Sequence, residues 1–444
     1  MAFFLLALIL FAWCLYPRSA VINWTELHQV IDGFGGSCAY FREPLSSEMS
    51  DFFFTKLGIG LSLLRIQVIP SVEDCKLQFG RDGAECVDVA AGATILKGEL
   101  DTAKQAVVRG VTVWSTPWSP PASMKSNRSF TNGGRLLPAY YSAWAESLAG
   151  YVKLLETNGV PIYAMSVQNE PNLTTDYGSA VFTAQELHDF IPYLHSALES
   201  AGAGKTKIMV AEASGWNFGL VSAAMADAKV ADHVDILSAH GYGPYAAHGL
   251  GPMKIYAPAN YGKHVWLTEV SSLSAIYDGS MKDALSWALE IYKFLTIANI
   301  NAWHWWFLSD GPKYGNGTDN SALTDINLNY PKRTYITGQW SRFVRPGWHR
   351  IGASYSGPLE ISAFKDPADH AFAIVVVNSG WLPVTQDFVL NGFSTDFVTP
   401  WITSANLLLA AQPTLSVRGS KFTYKLPAKC VATFSGAVQE RSGS

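Results

Sequence analysis

Two glutamates stand where a carboxylate is expensive to keep. The run Tyr163-Ala-Met-Ser-Val-Gln-Asn-Glu170-Pro171 is apolar up to its Gln-Asn-Glu end, where Pro171 closes it. Proline cannot continue central strand pairing, so the run predicts a buried parallel strand delivering Glu170 at its C-terminal end. His264-Val-Trp-Leu-Thr-Glu269-Val-Ser-Ser repeats the design. Desolvating a carboxylate costs free energy unless it has a partner or a task. Two carboxyls on two strand ends meet the needs of glycosidic bond cleavage. One stays protonated as general acid and the other stays ionised as nucleophile, about 5–5.5 Å apart when the configuration is retained.

Other residues could tune that pair. Arg65 is a charge inside the apolar run Leu61-Ser-Leu-Leu-Arg65-Ile-Gln-Val-Ile-Pro70, and Tyr242 follows the strand that ends at His240. Either would donate to Glu269 and keep it ionised. Asn169, beside the acid, could bond a substrate hydroxyl near the reacting carbon. Trp118 and Trp305 could stack on sugar rings. His240 has no Ser in a nucleophile-elbow context, which argues against a Ser-His-Asp hydrolase, and His240 with Tyr242 is read as lining the site. No Cys/His spacing resembles a metal site, and no cofactor is expected.

Eight apolar strand candidates alternate with helices. They are Val30–Tyr40, Leu61–Pro70, the run from Val111 to Trp118, the strand ending at Glu170, Lys207–Ala213, the run from Val234 to Tyr242, Val265–Glu269 and Ile300–Phe307. The closed solution for that pattern is a (β/α)8 TIM barrel, an α/β fold whose active site lies at the C-terminal strand ends. Arg65, Trp118, Asn169, Glu170, His240, Tyr242, Glu269 and Trp305 all fall near those ends. Helices are expected over 93–109, 139–158, 183–201 and 279–298, with an irregular insertion at 71–92. Tyr141, Trp144 and Tyr151 lie at helical spacing and read as core. After Arg345-Pro346-Gly347 short alternating runs separated by turns predict an antiparallel side β-sandwich. The expected division is a barrel over 28–345 and a side sandwich over 346–440.

Composition bounds the partners. The chain has 444 residues, 48% apolar and 15% charged, with a formal charge of -4. That suits a large globular core and offers nothing to attract nucleic acid. Residues 2–16 are uninterrupted apolar, short for a membrane span and suited to a signal peptide over 1–20, which predicts a secreted chain free of the membrane after cleavage, with a retained anchor as the alternative. Sequons at Asn23, Asn127, Asn172 and Asn316 agree with export. Cys75 and Cys86 flank a polar loop and could form a disulfide worth about 3 kcal/mol at best. Cys38 and Cys430 read as free and buried. A monomer is expected.

The set Gly33-Phe-Gly-Gly, Trp118-Ser-Pro-Pro-Ala-Ser-Met-Lys-Ser-Asn127, Val167-Gln-Asn-Glu-Pro171, His240-Gly-Tyr242, Leu267-Thr-Glu269 and Gln339-Trp-Ser-Arg-Phe-Val-Arg-Pro-Gly347 resembles glycoside hydrolase family 30. It spans nearly the whole mature chain in order. The resemblance implies a retaining (β/α)8 hydrolase with an attached side β-sandwich, Glu170 as acid/base and Glu269 as nucleophile. It also implies that a strand around residues 21–27 joins the side sandwich.

Trp118 to Asn127 and the Ser-Arg-Phe-Val-Arg-Pro-Gly run are most similar to the bacterial-type xylanase branch. Many of those enzymes read glucuronate with an Arg in the loop after the eighth strand. Here Phe307 to Thr318 holds Lys313 and Tyr314, with Asp310 nearby and no Arg. A lone Lys cannot reproduce the bidentate fork of Arg on a carboxylate. Arg42 is an alternative anion reader. The expected function is a β-1,4-xylanase without strict glucuronate dependence, acting on polysaccharide or oligosaccharide. Another β-glycan (β-1,6-galactan, β-1,6-glucan or a β-glucosyl substrate) is the alternative within the family. A silent carbohydrate-binding scaffold is the alternative of another class, and both carboxylates argue against it.

Overall fold

The structure is a computed structural model and describes residues 19–79, 86–90, 93–243, 255–274, 276–310, 320–368 and 370–439. Residues 1–18 of the expected signal peptide, the Asn316 sequon, Lys313 and Tyr314 lie outside the described residues, whereas Ser19 and Ala20 begin the first strand. In chain order the strands begin with β1 (Ser19–Ile31), β2 (Gly33–Ser37), β3 (Leu63–Val68), β4 (Cys86–Ala90), β5 (Ala93–Leu96) and β6 (Thr112–Pro117). Then come β7 (Ile162–Ser166), β8 (Lys207–Ala213), β9 (Ile236–Ala239), β10 (His264–Leu267) and β11 (Ala302–Phe307). Strands β2, β3, β6, β7, β8, β9, β10 and β11 close into a parallel barrel, β11 pairing back onto β2.

Strand alternation sorts each barrel residue. Leu63, Trp114, Ala164, Met209, Ile236, Trp266 and Ala302 point inward and form one apolar cluster that plugs the barrel. Their neighbours Leu64, Val113, Met165, Val210, Leu237, Leu267 and Trp303 point outward into the larger core beneath the helices. Two residues further along, the interior turns polar: Arg65, Thr116, Ser166, Ser238 and His304 are all buried. The barrel therefore has an apolar floor below a polar layer at its C-terminal end, where such enzymes build their sites. A Cβ on Gly35 would come within 2.6 Å of both the Leu63 carbonyl oxygen and the His304 ring. The Gly-Phe-Gly-Gly strand thus keeps the room that His304 fills.

The helices follow the expected periodicity with local differences. Tyr141–Thr157 buries Tyr141, Trp144 and Tyr151 against the barrel. Thr183 and Glu186 form a capping box that starts Ala184–Ser200. The helix expected over 93–109 begins only at Lys97, because 93–96 pairs as β5 with β4. The expected irregular insertion is instead regular in its described residues: the helix Val72–Phe79 is joined to β4 by the Cys75–Cys86 disulfide. Cys38 and Cys430 are free and buried. Asn127 and Asn172 commit their side-chain amides, Asn127 to the carbonyls of Thr131, Asn132 and Gly133 and Asn172 to Ser214. No helix among the described residues is long and apolar enough to cross a membrane.

The remaining strands are β12 (Trp348–Ser354), β13 (Glu360–Lys365), β14 (Ala371–Asn378), β15 (Val384–Asn391), β16 (Phe397–Thr403), β17 (Ala410–Ala411), β18 (Leu415–Ser416), β19 (Lys421–Leu426) and β20 (Cys430–Ala437). They form one ten-stranded sheet with β1, which pairs antiparallel with β12 and parallel with β15. The side domain is therefore mixed rather than wholly antiparallel. Phe388 and Phe422, near one end of the sheet, pack on Phe434, whose strand β20 lies near the other. The sheet curls over its own core. β1 remains paired through Ile31 with Trp348 before β2 enters the barrel.

Phe388 is fully buried and central to this second core. Phe388→Ala should cost about 3–5 kcal/mol, read as a lower midpoint in chemical denaturation, and an unchanged midpoint would show that the curled core does not limit stability.

Candidate active site

Arg65 is the hub of the polar layer. It sits on β3 with no exposed surface, and its Nη1 donates to Glu269 Oε2. Its Nη2 donates to Asn169 Oδ1 at 2.6 Å and to Glu212 Oε1 at 3.0 Å. Aromatic rings pack round it, with the guanidinium 4.7 Å from the Trp118 centroid, 5.3 Å from Trp114 and 5.4 Å from Trp306. A buried guanidinium is tolerable only when paired this thoroughly.

Glu170 and Glu269 arrive from β7 and β10, each just beyond its strand. Glu170 has φ 44, in the left-handed region, and its N–H donates to the Glu212 carbonyl at 3.0 Å. Non-glycine residues held there store strain, which concentrates at functional sites. His240, wholly buried at the end of β9, lies 3.1 Å from Glu170 through Nδ1 and 3.8 Å from Glu269. Glu170, His240 and Glu269 each place an oxygen or nitrogen within 4.8 Å of one another. The Tyr177 hydroxyl donates to Glu170 at 3.2 Å, and the Tyr242 hydroxyl donates to Glu269 at 3.0 Å. Burial pushes the pKa of both tyrosine hydroxyls up, so they stay protonated and remain donors.

The charges settle in a definite pattern. Burial pushes Glu269 up, outweighing the pull of His240 and Arg65, and the nearby Glu170 adds to the rise. Burial alone would lower His240, but Glu269, Glu170 and Glu212 raise it to about 9. Burial alone would raise Glu212, but Arg65 and His240 bring it down to about 2. His304, buried beneath, is lowered by burial to about 3. It is neutral, with Nε2 accepting from the Trp114 indole at 3.0 Å and Nδ1 donating to the Leu267 carbonyl at 3.0 Å.

The structure brings together Arg65, Trp118, Asn169, Glu170, His240, Tyr242 and Glu269. It corrects Trp305. That ring lies in the outer core, with its indole N–H on the Ser321 carbonyl at 2.9 Å and its centroid 4.4 Å from that of Trp287 in an edge-on contact. Its neighbour Trp306 points to the site, 5.9 Å from both Trp118 and Tyr40, and is partly exposed. One residue of strand parity decides between them. Trp118 is 1% exposed, so it is a wall behind Arg65 rather than an open stacking platform.

Besides Trp306, two site residues escaped the sequence reading. Glu212 is wholly buried and also accepts from Thr116 at 2.6 Å. Met209 faces inward, so strict alternation would turn Glu212 outward; the register breaks between Ala211 and Ala213, and Glu212 takes φ 48. Its only signal was a carboxylate in an apolar run, the signal that singled out Glu170 and Glu269. Tyr177 lies in the loop after β7 and carried no periodic cue. That loop is stapled to the one after β6 by Lys125, 1% exposed, whose Nζ donates to Ser119 Oγ, the Phe130 carbonyl and the Ser179 carbonyl.

Glu170, His240 and Glu269 form the one group among the described residues whose spacing could hold a metal ion. A positively charged His240 and the Arg65 already on Glu269 make it a poor cation site. The arrangement suits proton transfer and attack by a carboxylate.

The chain is similar to several known proteins. Residues 93–252 match the glycosyl hydrolase family 30 TIM-barrel domain. The glucuronoxylanase XynC of Bacillus subtilis (strain 168) is 32% identical over 432 residues, 95% of this chain and 92% of that one. Among solved structures, the glycoside hydrolase family 30 subfamily 8 xylanase Xyn30A from Clostridium acetobutylicum aligns with TM-score 0.79 and 30% identity, over 95% of this chain and 100% of that one. A family 30 endoxylanase from Clostridium papyrosolvens C71 gives 0.73 and 27%, over 94% and 100%.

The site makes stability depend on pH with a definite sign. His240, raised from 6.5 to about 9, contributes fully below 6.5, and that contribution is lost as pH rises through 9. Glu99, buried beside the site and raised by burial from 4.5 to about 8, also costs stability as pH climbs between those values. Glu212, lowered from 4.5 to about 2, contributes above 4.5 and loses that contribution towards 2. The urea midpoint should therefore peak between about pH 5 and 6 and decline by pH 9; a midpoint that climbs to pH 9 would contradict the assignment.

Proposed function

The chain belongs to glycosyl hydrolase family 30, and from that premise we propose that it is an endo-acting β-1,4-xylanase without strict glucuronate dependence. It works by retention, with Glu170 as acid/base and Glu269 as nucleophile. The observation that carries this reading is the separation: one oxygen of each carboxylate lies within 4.8 Å of the other. Inverting enzymes need about 6.5–9.5 Å to admit a water between the groups, whereas retaining ones need about 5–5.5 Å.

In the first step a Glu269 oxygen attacks the anomeric carbon and the bond to the leaving oxygen breaks. Glu170 hands its proton to that oxygen. In the second step Glu170 takes a proton from water, the hydroxyl joins the anomeric carbon, and the bond to Glu269 breaks. Arg65 and Tyr242 donate to Glu269 and favour its ionised form. Asn169 gives its carbonyl oxygen to Arg65, which leaves its amide N–H for a sugar hydroxyl next to the reacting carbon. Trp306, partly exposed, offers an apolar face to a sugar ring.

Similarity to a glucuronoxylanase supports xylan as the polymer, and the absence of Arg from residues 307–318 supports relaxed dependence on glucuronate. The apolar stretch 2–16 and the Cys75–Cys86 disulfide support export of the chain after removal of its leader.

Glu170→Gln and Glu269→Ala should each lower kcat by about a thousandfold or more while the thermal midpoint stays near that of the wild type. Near-normal turnover in either refutes the roles. Product analysis on xylans with and without glucuronate, beside β-1,6-galactan and β-1,6-glucan, tests the substrate; no product from any xylan would sink the xylanase reading.

A further inference from the structure

The two-carboxylate reading leaves a third buried carboxylate unexplained. Glu212 has no exposed surface, so it cannot touch substrate. It nevertheless holds both cations that serve the pair. Arg65 Nη2 is 3.0 Å from Glu212 Oε1, and His240 Nε2 is 3.5 Å from the same oxygen. Thr116 fixes the other oxygen at 2.6 Å. The break in β8 and the left-handed backbone at Glu212 are what turn it inward. A protein that strains its backbone to bury a charge gains something from that charge.

We propose that Glu212 is a positioning residue that balances the site's charge so that Glu170 keeps the proton it must donate, an inference that rests on the two-carboxylate reading above. Among the described residues the site holds two cations, Arg65 and His240, and three carboxyls, Glu170, Glu212 and Glu269. The proposed mechanism needs Glu269 ionised and Glu170 protonated, and with Glu212 ionised that state matches the two cations. Without Glu212, the same cations would be matched by Glu170 and Glu269 both ionised, and the acid would lose its proton. The hydroxyls of Tyr177 and Tyr242 also face the pair, but as neutral donors. His304, from β11, is neutral as well, so neither it nor the tyrosines can replace the missing charge.

The test is Glu212→Gln, read in two ways. One is the pH profile of kcat/KM on whichever polysaccharide the wild type cleaves fastest. The other is the NMR titration of the His240 imidazole, which needs no turnover. Removing a nearby negative charge lowers proton affinity at both Glu170 and His240, typically by about one to three pH units. The alkaline limb of the profile should therefore move to lower pH by about one unit or more, with activity at neutral pH down about tenfold and partly recovered in acid. The His240 midpoint should fall as well. Glu212→Asp keeps the charge but draws it back, and should lie between wild type and E212Q in both readouts.

A rate lowered equally at every pH, with the His240 midpoint unmoved, would make Glu212 a structural ion pair and overturn the inference. If E212Q does not fold, E212D decides alone, and an unmoved midpoint there overturns it too. A wild type that cleaves another β-glycan, or none, tells against the xylanase reading, while the His240 midpoint still decides the role of Glu212.

Discussion

A guanidinium without exposed surface holds this structure's chemistry together. Arg65 cannot shed its charge, so everything around it must answer that charge. Glu212 and Glu269 do so directly, Asn169 by its carbonyl oxygen, and three indole rings by their faces. These partners come from several different strands. Satisfying one side chain therefore draws the C-terminal ends of β3, β6, β7, β8, β10 and β11 into one register. The carboxylates that serve catalysis in our reading are also the groups that make the buried cation tolerable.

The barrel makes room for this polar layer by separating it from the apolar floor. Trp114 and Trp266 fill the interior below, and neutral His304 joins the layers through the Trp114 indole and the Leu267 carbonyl. The side sheet braces the wall from outside. Thr433 donates to Gln339 on the helix after β11, and Arg350 reaches Gln29 and Asn299 near the start of β11. Because β1 runs straight from that sheet into β2, the two cores are tied covalently as well as by packing.

Much of the fold was legible because it repeats. Eight apolar runs with helices between them have few closed solutions, and the cluster of unusual residues at one end of the runs pointed to the catalytic face. Glu170 and Glu269 were legible for a sharper reason: a carboxylate at the end of an apolar strand is costly enough to need an explanation. Trp305 and Glu212 were misread or missed for one shared reason. Periodicity says that alternate residues face opposite ways, but not which of Trp305 and Trp306 faces in. It also cannot anticipate a break such as that at Ala211–Ala213, which reverses the facing of the strand beyond it. Tyr177 sits on a loop, where no period exists to read.

The amino-acid sequence by itself determined the barrel, its catalytic end and the two glutamates, because burial energies act on every residue of a strand and leave a repeating trace. Tertiary structure alone decided which charges meet. Whether Arg65 serves Glu269 or Glu212, whether His240 is charged, and which Trp lines the site depend on contacts a few ångströms long between distant segments. Electrostatic energy inside a protein changes steeply over such distances, and strand order and facing set them only after the barrel closes.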